Sequence, residues 1–442
     1  SRLAVCVWLI VSTPNTDFLW APLMECKMRY YTNLVVLIVL AATFSVTAMA
    51  KEECGLSNGE RASGKAIQIG AIVGKTGPED FSSSARSASA YFDCVNANGG
   101  INGRPVAYTV QDDSWNPEVA TQAASKLVKD LLVVGMVGST SFVECGANSK
   151  LYEDEGVAVI AGVGVPRSCF YSKNYAPFNQ GPRSSTIGVA QYLTSKFKLK
   201  SVTCVAPGIP GFGDWVCGGV ESWGKSHGIK VNQVIFDPGQ LDGNSITLQI
   251  MASMSEGVVL GMPRGMMLPI LTAAEQQDLG RNIKWGAPTS AFHKDMPKAV
   301  GSYWQNNFYV HMELEDLNKN GSDTQNWRTL MEKYGNADDP IDSFSQAGYL
   351  AAKVATEAML AIKGEISRES VYKAFKNINN INTDMLCAPW YFGNGERHQA
   401  NHKGRVALLT TTGFDIKTDC FQTQDTELSD VLALEAAGGL VD

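Results

Sequence analysis

Residues 67–80 read IQIGAIVGKTGPED, an apolar run that meets Gly-Lys-Thr and then Gly-Pro. Gly-Lys-Thr after a strand raises the question of a phosphate loop, G-x-x-x-x-G-K-[ST], whose backbone N–H groups curl round a nucleotide. Here Gly70 and Gly74 enclose Ala71, Ile72 and Val73, one residue too few. Gly77-Pro78 stands where a phosphate-capping helix would begin. The stretch is therefore read as a buried strand over 67–73 that ends in a Gly/Pro turn.

Working outward, short β-rich runs alternate with helical segments. A helix is expected over 83–98, closed by Gly99-Gly100, then a strand over 106–111. The next helix has a marked start, with Asn116 as cap and Pro117 at the first helical position, where a missing N–H costs nothing. Further strands are read in VVGMVG, VAVIAGV, SVTCVAP, KVNQVIF, GVVLGM and IKWGAP. Continuous apolar strands separated by helices imply parallel sheets covered on both faces. So many strands fit two α/β lobes of Rossmann-like build better than one sheet. Residues 343–363 and 368–376 read as helices, followed by β-like APWYFG and RVALLTT on either side of the polar loop NGERHQANHKG.

The chain has 442 residues, 45% of them hydrophobic, enough to bury two cores. A net charge of −7 and the lack of a basic cluster argue against nucleic acid as a partner. From Met28 a short polar region with Arg29 leads into LVVLIVLAATFSV and Ala48-Met49-Ala50. That order is a secretory signal over 28–50, its apolar core shorter than the roughly twenty residues a membrane span needs. Residues 1–27 are read as an over-extended reading frame. Lys51-Glu52-Glu53 before Cys54 is unlike a lipoprotein signal, so the mature protein is expected free in the periplasm.

Export makes the cysteines disulfide candidates. Beyond the signal stand Cys54, Cys94, Cys145, Cys169, Cys204, Cys217, Cys387 and Cys420, an even set with no C-x-x-C pair. Sequence leaves their pairing open. Sequential neighbours are the simplest choice, with Cys145–Cys169 and Cys204–Cys217 first among them.

Enzyme signatures are absent: no G-x-S-x-G, no H-E-x-x-H, and GVGVPR places Arg167 where a dinucleotide fingerprint needs glycine. His398 and His402 lie four apart in a loop without an obvious third metal ligand, so a structural role is expected and no metal or cofactor. Asp112 and Asp113 would point to opposite faces of a strand end, as a cap or surface pair. In GSTSF, Ser139, Thr140 and Ser141 could hold a ligand carboxylate at a helix start or simply cap that helix.

Four stretches in this order, IQIGAIVGKTGP, AYFDCVNANGGINGRPVAYTVQDD, LYEDEGVAVIAG and GYLAAKVATEAMLAI, resemble the exported solute-binding proteins of ABC importers. The similarity is to the branched-chain or hydrophobic amino-acid class, leucine-binding-protein-like, with the type I periplasmic binding fold. The resemblance implies two lobes joined by three crossing strands, roughly 65–180 plus 312–403 and 181–311 plus 404–425, with 426–442 as a C-terminal tail. It implies a ligand between the lobes, a membrane permease as partner, a monomer, and no catalysis. It makes Ser139–Ser141 the carboxylate loop, Val163, Gly164 and Val165 the neighbouring wall, and Phe212 a second-lobe aromatic. Thr289 stands where relatives place the acid that takes an ammonium, so an acid without an α-amino group is expected beside the usual amino acids. Met262, Arg264, Met266 and Met267 face it, the methionines suiting either an irregular apolar ligand or ordinary packing. A ligand sensor that signals to a membrane partner is the alternative reading of the same fold.

Overall fold

The computed structural model describes residues 53–438. The readings of 1–27 and of the signal at 28–50 lie outside the described residues, as does the extreme C-terminus.

The run 67–73 is strand β1 (Ile67–Val73), buried along almost its whole length because it lies between neighbours on both edges. With β2 (Val106–Asp112), β3 (Gly135–Val137), β4 (Thr140–Ser141), β5 (Val159–Ala161), β6 (Val163–Gly164) and β7 (Tyr175–Pro177) it forms a wholly parallel sheet. A second sheet runs parallel through β8 (Ser201–Pro207), β9 (Lys230–Phe236), β10 (Gly257–Leu260), β11 (Lys284–Ala287) and β12 (Phe308–Met312). It is extended by β13 (Lys403–Leu409), antiparallel to β12, which carries β14 (Phe414–Ile416) and β15 (Phe421–Gln422), also antiparallel. APWYFG is not a strand; Trp390 makes an isolated bridge to Ile381.

Local chemistry explains the element ends. Asn116 accepts from the N–H groups of Glu118 (2.9 Å) and Val119 (3.1 Å), with Pro117 at the first helical position. In NANGGINGR, Asn96 exchanges two hydrogen bonds with Val106 at the start of β2, at 2.7 and 2.9 Å. Gly100, at φ 59°, reverses the chain where an added Cβ would lie 2.3 Å from the Arg104 carbonyl. The helix Ser343–Leu360 packs on Ser83–Ala97, and Gly348 permits the approach, since a Cβ there would meet the Ser84 carbonyl at 1.9 Å.

The helices after β12 thus return to the first sheet before β13 joins the second, so the chain passes between lobes three times. Asn401 Nδ2 donates to the carbonyls of Phe178 (2.9 Å) and Glu313 (3.1 Å), one on each of the other two crossings. Where the sequence suggests a tail, the helix Ser429–Ala436 docks by Arg397–Asp430 (2.8 Å) and by Tyr391 and His402 on Glu435. Just before it, Glu427 accepts from Tyr171 (2.7 Å) and from Trp215 (3.1 Å).

Among the described residues four disulfides join sequential cysteines: Cys54–Cys94, Cys145–Cys169, Cys204–Cys217 and Cys387–Cys420. Cys145–Cys169 closes a span of 24 residues. Cys145→Ala with Cys169→Ala should therefore lower stability by about 3 kcal/mol, measured by urea unfolding. Thiol titration of the unfolded, unreduced segment 53–438 should find essentially none; several reactive thiols would contradict this pairing.

Candidate functional site

The Gly-Lys-Thr-Gly-Pro turn after β1 is held by a carboxylate. Asp112 accepts from the N–H groups of Lys75 (2.9 Å) and Thr76 (3.2 Å) and from the Thr76 hydroxyl (2.6 Å). The donors that a phosphate loop would offer its nucleotide are thus engaged within the fold. Burial is the largest single influence on the Asp112 carboxyl and raises it, but the bonds from Thr76, Ser114 and Lys75 together outweigh it and hold the carboxyl below its usual range. Trp115 lies over the turn, its indole N–H donating to the carbonyls of Gly74 (3.3 Å) and Glu79 (3.2 Å). This framework delivers Phe81 to the mouth of a cavity.

That cavity lies between the lobes, its roughly 360 Å³ of unfilled space including open solvent and the room for the centres of water-sized spheres amounting to only about 40 Å³. Phe81, Phe142 and Phe344 line it from the first lobe and Phe212 from the second. Phe142 stacks on Trp115 at 4.2 Å and meets Phe81 at 5.3 Å and Phe212 at 5.1 Å. Val163, Gly164 and Val165 form one wall. Their loop is fixed by Asn179, whose amide exchanges bonds with the Gly164 backbone at 2.8 and 3.0 Å, and by the nearby Cys145–Cys169 link. Opposite, Phe212 opens the helix Gly213–His227, which Cys204–Cys217 ties to β8. Met262, Thr289 and Ser290 complete the second-lobe side. Thr289 donates its N–H to Ser185 (3.0 Å) and its hydroxyl to Ser343 (3.1 Å), and Ser290 donates to the Met262 carbonyl (2.8 Å). Glu79 accepts from the Gly265 N–H at 2.9 Å, another contact between the lobes.

Six of the residues expected at the site, Val163, Gly164, Val165, Phe212, Met262 and Thr289, come together on this cavity. Ser139, Thr140 and Ser141 are fully buried behind it and are not among its lining residues. Ser139 Oγ accepts from the Ile72 N–H (3.1 Å) and donates to Glu144 (3.3 Å). Ser141 donates to Asp113 and accepts from the N–H groups of Val143 (3.0 Å) and Glu144 (2.9 Å), as a helix cap would. Phe142, next in sequence, is the residue of GSTSF that faces the cavity. Met266 and Met267 belong to the hydrophobic core. Arg264 lines an adjoining recess with Glu79, Asp80, His293 and Asp342.

Glu313, the first residue after β12, also lines the cavity and was not anticipated. It is 1% exposed; Oε2 accepts from the Gln180 N–H (3.1 Å), while Oε1 has no partner. Burial pushes its carboxyl up to about 8. The one hint in sequence is a carboxylate directly after five apolar or aromatic-flanked strand residues, FYVHM, all of them buried. His311 in that strand is pushed down to about 3 by burial and so is neutral, its Nδ1 beside the Ser185 hydroxyl (3.1 Å).

His398 and His402 do not share a ligand. The ring nitrogens of His398 face the carbonyls of Phe392 (2.6 Å) and Lys173 (2.9 Å), and His402 pairs with Glu435 (2.8 Å). Among the described residues no group of three His, Cys, Asp or Glu side chains could hold a metal, and no helix is long and apolar enough to cross a membrane.

Solved structures share this architecture. A branched-chain amino acid ABC transporter protein from Thermus thermophilus with bound valine superposes with a TM-score of 0.73 at 17% identity, covering 82% of this chain and 98% of that one. A solute-binding protein from Rhodopseudomonas palustris HaA2 in complex with p-hydroxybenzoic acid gives 0.71 at 16% identity, covering 83% of this chain and 100% of that one. A fatty acid ABC transporter substrate-binding protein from Thermomonospora curvata gives 0.68 at 19% identity, covering 83% and 95%. In sequence, an amino acid binding protein of Pseudomonas aeruginosa is 24% identical over 222 residues, 47% of this chain, and the match spans only 58% of that relative's length. The family model described as periplasmic binding protein matches residues 66–413, and the chain belongs to that family.

Proposed function

We propose that the chain is the solute-capturing component of an ABC importer in the periplasm: it encloses one small solute between its lobes and presents the closed form to a membrane permease. Its family binds solutes and performs no chemistry on them. The observation that carries the reading is the aromatic enclosure contributed by both lobes, with Phe142 of the first and Phe212 of the second 5.1 Å apart. A ligand lodged there bridges the lobes and favours their closure, because its apolar body leaves water only when both walls are in place. The lining suits a flat or branched apolar body, of the kind that two structural relatives hold as p-hydroxybenzoic acid and valine.

The solute itself should be identified by native mass spectrometry of protein purified gently from its host. A mass shift of one small molecule that disappears on denaturation is the expected result; the lasting absence of any bound solute, with no closure on addition of a metabolite library, would refute the reading.

Phe212→Ala should weaken binding of that solute by about ten- to a hundredfold, the equivalent of roughly 1.5–3 kcal/mol of buried aromatic surface. Calorimetric titration measures it, and unchanged affinity would move the ligand elsewhere. Ser141→Ala should instead lower stability by about 1–3 kcal/mol, because it leaves Asp113 and two helix N–H groups without their partner, and should leave affinity nearly intact. A large loss of affinity at constant stability would assign these hydroxyls to the ligand.

A further inference from the structure

Beyond the three crossings, the chain spans the lobes once more. After β15, Asp425 pairs with Arg183 at 3.0 and 3.1 Å and accepts from the Ser184 hydroxyl at 2.9 Å. Both partners stand at the start of the second-lobe helix Pro182–Phe197, and both are buried. The residues that follow pass to the first lobe, where the helix Ser429–Ala436 is anchored by Asp430 on Arg397 (2.8 Å) and by Glu435 on Tyr391 (2.9 Å). The loop that carries Tyr391 belongs to that lobe: Trp390 stacks on Phe178 at 4.2 Å and donates to the Pro177 carbonyl at 3.0 Å. This fourth span lies beyond residues 66–413, so the match to the family does not account for it.

Glu427 lies between the two anchors and touches both lobes. From the first it accepts the Tyr171 hydroxyl (2.7 Å), with the Arg167 guanidinium 3.7 Å away. From the second it accepts the Trp215 indole N–H (3.1 Å), with the Arg183 guanidinium 3.8 Å away. Burial acts to raise its carboxyl, but these two hydrogen bonds and two cations outweigh it and hold the group below its usual range, as a carboxylate. Each partner adjoins a wall of the cavity. Arg167 and Tyr171 follow Val163–Val165 in the chain, and Trp215 stands in the first turn of the helix that Phe212 opens. Beside them the lobes touch directly, the Arg167 N–H meeting the Gly211 carbonyl at 3.1 Å.

A hinge rotation that parts the lobes draws Tyr171 away from Trp215, and one carboxylate cannot follow both. The stretch between Asp425 and Asp430 is helical, roughly 8–10 Å long as it stands and about 17 Å if drawn straight. It therefore has little slack unless a turn unwinds or an anchor breaks. We infer, resting on the solute-binding reading above, that residues 425–436 form a strap that limits how far the lobes part and keeps the two cavity walls in register, with Glu427 as its positioning residue. A narrowed range of openings leaves less to be ordered when the lobes close on a solute.

The test needs no solute. Spin labels at Glu118→Cys and Gln240→Cys report the gap between the lobes: both residues are exposed, and they follow β2 and β9, the edge strands furthest from the crossings, where a rotation moves them most. In the ligand-free protein, Glu427→Ala should lengthen the mean separation measured by pulsed dipolar spectroscopy by several ångströms and broaden its distribution. Glu427→Gln keeps one acceptor and should lengthen it less. Asp430→Ala with Glu435→Ala should act as Glu427→Ala does, because it frees the helix from the first lobe and leaves the buried Arg183–Asp425 pair in place; it decides the matter if Glu427→Ala does not fold. A merely structural role for Glu427 would lower the melting temperature and leave the separation as in the parent, and that result overturns the inference. Unchanged separations would leave the solute-binding reading intact, since the native mass spectrum judges it; the lasting absence of any solute would bring down that reading while these distances still judge the strap.

Discussion

A single side-chain amide, that of Asn401, reaches the other two segments along which the chain passes between its sheets. Its donors fix Phe178 and Glu313 side by side, and Gln180 then donates to the Glu313 carboxylate from the first crossing. Backbone groups at such a junction lie outside both sheets and would be costly to bury unpaired. Side-chain amides do there what ladder hydrogen bonds do elsewhere. Because the crossings are pinned, the two lobes present their loop ends to the same space, and the turn after β1, the loop after β4 and the start of the helix Gly213–His227 meet around one cavity. Loosening the junction would separate the walls of the site.

The architecture was legible wherever local pattern and burial agree. The apolar run over 67–73 is continuous because β1 has neighbours on both edges and is covered on both faces. The cap at Asn116 and the reversal at Gly100 depend only on near neighbours in sequence. The runs SVTCVAP and KVNQVIF match β8 and β9 for the same reason. Less was legible where partners lie far away. RVALL looks alike in a parallel or an antiparallel strand, and its direction follows only from the route by which the chain re-enters the second sheet. FYVHM, not among the expected strands, carries a histidine inside the sheet, buried neutral against Ser185.

At the site, the residues placed by chain position, such as Phe212 and Val163–Val165, were found, whereas side-chain direction was not. GSTSF offers three hydroxyls and one ring, and composition favours the hydroxyls as ligand groups. The fold turns the two serine hydroxyls toward Asp113, Glu144 and the Ile72 N–H, leaves the Thr140 hydroxyl buried without a partner, and turns the ring of Phe142 to the cavity. The reason lies in buried acids. Glu144, pushed up to about 8 by burial, draws donors from Tyr152 and Ser139, and Asp113 draws Ser141. No stretch of sequence signals that demand, as the acids and hydroxyls come from separate elements.

The burial of Glu313 and Glu144 also sets how the fold meets a change of pH. Each carboxyl is pushed up to about 8 by burial, so the folded form keeps two protons that an unfolded chain gives up near the ordinary glutamate range. The stability tied to those protons is present in mild acid and is lost as pH rises toward and through about 8, opposite in sign to the usual salt-bridged carboxylate.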